Sequence, residues 1–470
     1  MWAPEFGGLV NDEQTSVSFP GKCFEEITMT YEKTSDTTFD IKFKTAKPTS
    51  TMCTELVLFA NTEISHIQVF FTRGTHTLHF EMSDTESQHD IAFNGLNAFV
   101  FCEDAVDSIE SIWNTLKMFL GGLGTDPSKR VLGSHVPKYM EDANIRFIHD
   151  VMGVTLEERT TKIVDVDPDL IQSGDFFGVM RLDGLDQIIM YGTGAYVGHN
   201  VMAMRMEDNE LYIVESQDSW YWPTAGLQRT KFADWMQLAE NADFHVTWHR
   251  LRDDVRERFD TEAAIQFFNE TEGMSYGYAN FLYGWIDTAE DNWPPLLPIH
   301  FVPDLFSIMQ RFAADTTYTF FTEALNRRLG VDSYNIQQIV EEGYNQGIKI
   351  DEVMAMTEQD GWRYYSDQMG GGYSYVCSAY VAAMYKAGGL LDETVNATEF
   401  ATMDIYIMDL FDTTTPLPDV CVAADPELPY CQLRGNYRLN MPHYNTITPY
   451  EHMFENCEIN FPTYERTPGC

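Results

Sequence analysis

The chain predicts an α+β fold of more than one domain, and three observations carry that prediction. The first hundred or so residues alternate apolar and polar side chains at the two-residue period of strands. From about residue 170 onward, strand-like segments are interleaved with segments of helical periodicity. Of the 470 residues, 44% are hydrophobic and 14% aromatic, enough to bury full-sized cores.

In the first segment Phe39, Ile41 and Phe43 alternate with polar partners. IQVFF, TRGT and HTLHFEM read as a hairpin with Ile67, Val69 and Phe71, then Leu78, Phe80 and Met82, on one face. The expectation is a small β-sandwich. A helix is expected next, with Val106, Ile109, Ile112, Trp113, Leu116 and Phe119 at helical spacing and a stop at Gly121-Gly122, which sets a domain boundary near residue 125. DLIQSGDFFGVMR, GAYVGHNVMAMRM and ELYIVESQDSWY then read as consecutive strands of one antiparallel sheet, the last two joined by a turn at Glu207-Asp208-Asn209. TKFADWMQLAE and TEAAIQFFNETEG read as helices. Residues from about 286 to 350 read as a helical insertion placed to cover a site, within a second domain spanning 126–412. Residues 413–470 form a Pro-, Tyr- and Asn-rich extension whose four cysteines, Cys421, Cys431, Cys457 and Cys470, suit disulfide staples of open connectivity.

Charge narrows the partners. Thirty Lys and Arg against seventy-two Asp and Glu give a formal charge of −42, which excludes nucleic acid and anionic membrane surfaces and suits an acidic or salty setting. It leaves neutral, cationic or lipidic substrates open. No stretch reaches the roughly 18 to 20 apolar residues of a transmembrane helix, and MWAPEFGGLV lacks the features of a signal peptide. The cysteines and the sequons Asn269-Glu-Thr and Asn396-Ala-Thr nevertheless point to a secreted or lumenal glycoprotein, vacuolar or lysosome-like, whose leader lies outside this sequence.

The chemistry centres on Cys377, in GGGYSYVCSAYVAAMYKAGG. An extended YSYV stretch runs into a helix of small and apolar residues that Gly388-Gly389 terminates. A cysteine at a helix start meets free backbone N–H groups that favour a thiolate and can bind an oxyanion. The plain alternative is a buried structural cysteine or half of a disulfide.

A nucleophilic thiol needs a base, and His199 is the candidate because it begins a strand whose hairpin partner carries orienting groups. A three-residue loop at Glu207 to Asn209 sets Gln217 opposite His199 with Glu215 diagonal on the same face, whereas a four-residue loop sets Asp218 opposite. Any of the three can hold the imidazole, and spacing alone does not choose. Trp220, Tyr221 and Trp222 follow as candidate walls for an apolar group.

GDFFGVMR, GHNVMAMR, LYIVES, LQRTKFADWM, MSYGYANFLYG and YVCSAYVAAMYKAGG, in this order, resemble circularly permuted NlpC/P60 enzymes, especially the YiiX-like group of the papain-like superfamily, in which the histidine precedes the cysteine. The resemblance covers roughly residues 170 to 285 and 360 to 412. It implies a papain-like core with Cys377 as nucleophile, His199 as base and Glu215 orienting the imidazole. It also implies hydrolysis or acyl transfer at amides, esters or thioesters, with the Cys377 N–H and a second donor, for which Tyr375 is the candidate, holding the oxyanion. The N-terminal sandwich, the insertion and the cysteine-rich tail depart from that core and leave the substrate open among lipids, small molecules, peptides and cell-wall peptides.

A rival expectation is a non-catalytic structural or adhesion glycoprotein that keeps the core as scaffold and binds, or self-assembles, through the N-terminal domain. It requires Cys377 to be oxidised, and eight cysteines would then pair evenly. No cofactor or metal is expected, since HExxH, CxxC and EF-hand spacings are missing and DTAED near residue 290 reads as a solvated loop.

Overall fold

Alternation in the N-terminal segment becomes two four-stranded antiparallel sheets. One contains β1 (Pro4–Val10), β8 (Leu96–Phe101), β5 (Glu55–Ala60) and β6 (Ser65–Phe70) in that order; the other contains β2 (Ser16–Phe19), β3 (Phe24–Lys33), β4 (Thr38–Pro48) and β7 (Gly74–Glu81). The computed structural model describes residues 4–49, 54–82, 85–101, 135–218, 225–283, 298–364 and 372–449. Phe39, Ile41 and Phe43 are fully buried and share one core with Val57, Phe59 and Phe70 of the other sheet. Each such side chain removed from water contributes roughly 1.5–3 kcal/mol.

The expected hairpin of residues 67–82 is not formed. β6 pairs with β5 and β7 with β4, so the short link between them crosses from one sheet to the other. The adjacent Phe70 and Phe71 permit either strand phase, and Phe70 is the one that turns inward, against Phe43 at 5.6 Å. Ile67 and Phe71 consequently lie exposed, at 60% and 69%. The expected helix at 106–119 and its glycine stop lie outside the described residues.

The chain divides into two compact units, and the first joins residues of 1–115 to residues of 295–356. The stretch expected as an insertion in the second domain therefore belongs with the N-terminal sheets. The physical reason is β8, whose LNAFVF is buried along its whole length and so needs cover on both faces. The helix Phe301–Gln310 supplies that cover: Phe301 meets Phe99 edge-on at 5.1 Å within a cluster that includes Leu58 and Phe101. The helix Ile336–Gln346 is tied to the helix Thr85–Phe93 through Glu341, 2.8 Å from His89 Nδ1.

The second unit is organised by a six-stranded antiparallel sheet in the order β12 (Gly226–Lys231), β11 (Leu211–Gln217), β10 (His199–Arg205), β9 (Phe176–Met180), β13 (His245–His249), β14 (Cys431–Arg434). Phe177, Val179, Val201, Ala203 and Ile213 pack with Trp235 and Ala239 of the helix Phe232–Asn241 in one core. The described part of the tail is more than a stapled extension, since β14 extends this sheet and the Cys421–Cys431 disulfide anchors it. Among the described residues no helix is long and apolar enough to cross a membrane.

Candidate active site

The hairpin β10–β11 fixes His199. Asn209 adopts φ +60° and its N–H reaches Met206 O at 2.8 Å, closing the three-residue turn. The register is Arg205↔Leu211 through Met202↔Val214, the alignment that sets Gln217 opposite His199 when continued. The contact His199 makes is nevertheless the diagonal one: its Nε2 lies 2.9 Å from Glu215 Oε2. Glu215 Oε1 in turn accepts from Trp235 Nε1 at 3.1 Å. All three side chains are buried. Nε2 donates to the carboxylate, which leaves Nδ1 for a second partner.

That partner is Cys377, whose side chain hydrogen-bonds His199. Cys377 opens the helix Cys377–Ala387 directly after extended Val376 (φ −72°, ψ 174°). Ala379, Ala382 and Ala383 are small enough for this helix to pack closely on β10 and β11. Two buried hydroxyls hold its start: Ser216 Oγ donates to Tyr375 O at 2.7 Å and Ser378 Oγ to Phe400 O at 2.5 Å. Burial pulls the imidazole of His199 toward lower pKa, but the hydrogen bond and charge of Cys377, followed by those of Glu215, outweigh it and push the group up to about 10. The surroundings thus favour an imidazolium facing sulfur.

The cysteines separate by role. Cys377 is a free, buried thiol, Cys23 is disulfide-bonded, and Cys421 pairs with Cys431. Cys53, Cys102, Cys457 and Cys470 lie outside the described residues, as do Trp220, Tyr221 and Trp222. Gln217 Nε2 is 3.5 Å from Asp218 Oδ1, and its buried Oε1 has no partner among the described residues.

The phenol beside Cys377 is not that of Tyr375. The Tyr375 ring packs among Phe267, Tyr373 and Tyr380. Tyr276 lies against Cys377, its oxygen accepting from the Cys377 backbone N–H. Burial, then the charges of Cys377 and Asp218, push the Tyr276 phenol well above its ordinary pKa, so it keeps its proton. Gly277 makes the approach possible. A Cβ there would fall 2.4 Å from Tyr375 C and 2.6 Å from Val376 N, while the Gly277 N–H bonds Tyr375 O at 3.0 Å.

Asp186 was also missed by sequence reasoning. This fully buried carboxyl accepts from Arg181 N at 2.5 Å and presses on Gly198, where a Cβ would fall 2.2 Å from its Cγ. Burial, reinforced by Asp183, raises its pKa well above the carboxylate range, and it feels the charges of both His199 and Cys377. Among the described residues no group of three or more His, Cys, Asp or Glu is arranged to hold a metal ion.

No family model, curated protein or solved structure matches the chain. The site is therefore read from its own geometry. Trp235 offers a check on that geometry: Trp235→Phe strips the buried Glu215 Oε1 of its donor, with an expected stability loss of about 1–3 kcal/mol from the orphaned oxygen alone. Chemical denaturation measures the loss.

Proposed function

We propose that this protein is a thiol hydrolase or acyltransferase of the permuted NlpC/P60 type, acting on amide, ester or thioester bonds. One observation carries the reading: a free buried thiol at a helix start faces a histidine that is held from behind by a buried carboxylate.

The Cys377 sulfur, its proton held on His199, attacks the substrate carbonyl to form the S–C bond. The resulting oxyanion is stabilised by the Cys377 backbone N–H and the Tyr276 hydroxyl. As the tetrahedral intermediate collapses, the bond to the leaving group breaks and His199 delivers its proton to that group. Water, or another acceptor, then attacks the thioester while His199 takes its proton. The S–C bond breaks, and the acid leaves when water attacks or the acylated acceptor when another nucleophile does. Glu215 holds the ring throughout and stabilises the imidazolium.

The net charge of −42 favours a neutral, cationic or lipidic substrate over an anionic polymer. The scaffold reading needs an oxidised Cys377, and the free thiol supports the nucleophile instead. Secretion or a lumenal location is part of this proposal, supported by the disulfides.

The decisive test is labelling with a thiol-reactive epoxide or acyl probe under non-reducing conditions. Wild-type protein is expected to be modified at Cys377, and Cys377→Ala to lose that labelling with an unchanged circular dichroism spectrum. Labelling that persists in the variant, or a bridged Cys377 in a disulfide map, sinks the assignment.

A further inference from the structure

In the first unit two carboxyl groups are buried around one small cavity of about 40 Å³, lined in part by Asn61, Thr62, Asp90, Asn94, Asn97 and Asp304. Asp90 belongs to the helix Thr85–Phe93 and Asp304 to the helix Phe301–Gln310; they are 1% and 2% exposed. A carboxylate in such a place has to be compensated by donors, so the donors decide its state.

Asp90 is well supplied. Thr62 Oγ1 donates to it at 2.7 Å, Asn94 Nδ2 at 2.9 Å, and the Thr62 backbone N–H joins them. Asp304 has one donor among the described residues, Asn97 Nδ2, 3.1 Å from its Oδ2. Asn97 is itself incomplete, because its buried Oδ1 has no partner among the described residues. The two deficits answer each other. A proton on Asp304 provides a donor beside an amide oxygen that lacks one, and it removes a buried negative charge from the neighbourhood of Asp90, whose own carboxyl burial also raises above its ordinary pKa against the pull of its donors.

We propose that Asp304 is a carboxylic acid in the folded protein, joined to Asn97 by a two-point acid–amide pair, and that this pair is a proton-dependent latch between the helix Phe301–Gln310 and β8. The other charged groups lining the cavity are engaged elsewhere. Lys349 Nζ lies over the Phe93 ring at 5.9 Å, and His300 stacks on Phe6 and faces Asp351 at 3.8 Å. Burial, against the pull of Asp351, holds His300 below its ordinary pKa. The first helical turn favours an anion at Asp304, but this effect is small beside full burial with a single donor. Burial accordingly drives Asp304 well above the carboxylate range against the pull of the Asn97 bond, and the charge of Asp90 adds to the rise.

The sign follows from linkage. A carboxyl whose folded pKa lies above its unfolded value of 3.8 contributes stability that is complete below that value and is lost as pH rises through the folded one. The latch is closed in acid and loosens as Asp304 ionises.

Asp304→Asn isolates it, since an amide retains an N–H for Asn97 Oδ1 and cannot ionise. Thermal unfolding of the full chain is compared for wild type and variant between about pH 4.5 and about pH 8. The Tm of the variant minus that of wild type is expected to rise with pH, by several degrees over this range. An Asp304 that is ionised in the fold gives the opposite result, a variant destabilised at neutral pH with the gap closing in acid. A difference independent of pH overturns the proposal equally. Wild-type hydrogen exchange provides a reading that needs no variant: the β8 amides are expected to lose protection as pH rises, beyond the intrinsic pH dependence of exchange, and unchanged protection counts against the latch.

Discussion

Replacing His199 by Ala is expected to lower turnover by about 10²–10⁴-fold, the usual contribution of a positioned acid–base group. Cys377 would lose the imidazole that hydrogen-bonds its side chain, and the buried Glu215 would lose the group 2.9 Å from its Oε2. The pH dependence carries the more specific signature. The folded pKa of His199 is about 10, above its ordinary 6.5. Its imidazolium therefore contributes stability that is fully present below about 6.5 and is lost as pH rises through about 10. In the proposed mechanism the same proton is delivered to the leaving group, so wild-type turnover is expected to fall over that alkaline limb. In His199→Ala both the alkaline loss of stability and the alkaline limb of turnover disappear. Turnover and thermal unfolding, followed across pH in both proteins, check this. A variant that keeps the wild-type limb would show that another group titrates there.

The juxtaposition of His199 and Glu215 was legible because hairpin geometry is local. Given Glu207, Asp208 and Asn209 as the loop, the alignment of His199 with Gln217 and Glu215 is arithmetic, and only the choice of contact awaited Trp235, which holds Glu215 from a helix about twenty residues further on. The helix start at Cys377 was legible for the same reason, being written in Val376, the small residues that follow and Gly388-Gly389. Tyr276 was not, because nothing near Cys377 in the chain specifies which tyrosine arrives from about one hundred residues upstream. The usable signal was Gly277, set between two tyrosines where only a glycine permits the backbone of residues 375 and 376 to come so close. The segment around 301–354 was misplaced for a related reason. Its amphipathic helices declare that they need an apolar surface, but not that the surface is the outer face of β8. Residues 67–82 failed at a finer grain, since a turn between two strands has the same signature whether the strands pair or change sheets.

Tyr276→Phe is expected to lower kcat by about 10²–10³-fold, the cost of losing one oxyanion donor. In the resting site the phenol oxygen accepts from the Cys377 backbone N–H. In the proposed acyl transfer the substrate oxygen takes that N–H, and the Tyr276 hydroxyl, which burial keeps protonated, turns its own hydrogen toward the developing charge. An interaction made mainly in the transition state appears in kcat with little change in KM. Alkylation of Cys377 by iodoacetamide passes through no oxyanion, so its rate is expected to stay near wild type, which separates loss of the donor from loss of the thiol's environment. Tyr375→Phe serves as the internal comparison. Its ring lies among Phe267, Tyr373 and Tyr380, and its hydroxyl has no part in the proposed chemistry, so its kcat is expected to stay within a few-fold of wild type. If the two variants lose equal activity, or if Tyr375→Phe loses more, the oxyanion donor is not Tyr276. If alkylation slows along with kcat in Tyr276→Phe, the phenol acts by positioning Cys377 and not by stabilising the transition state.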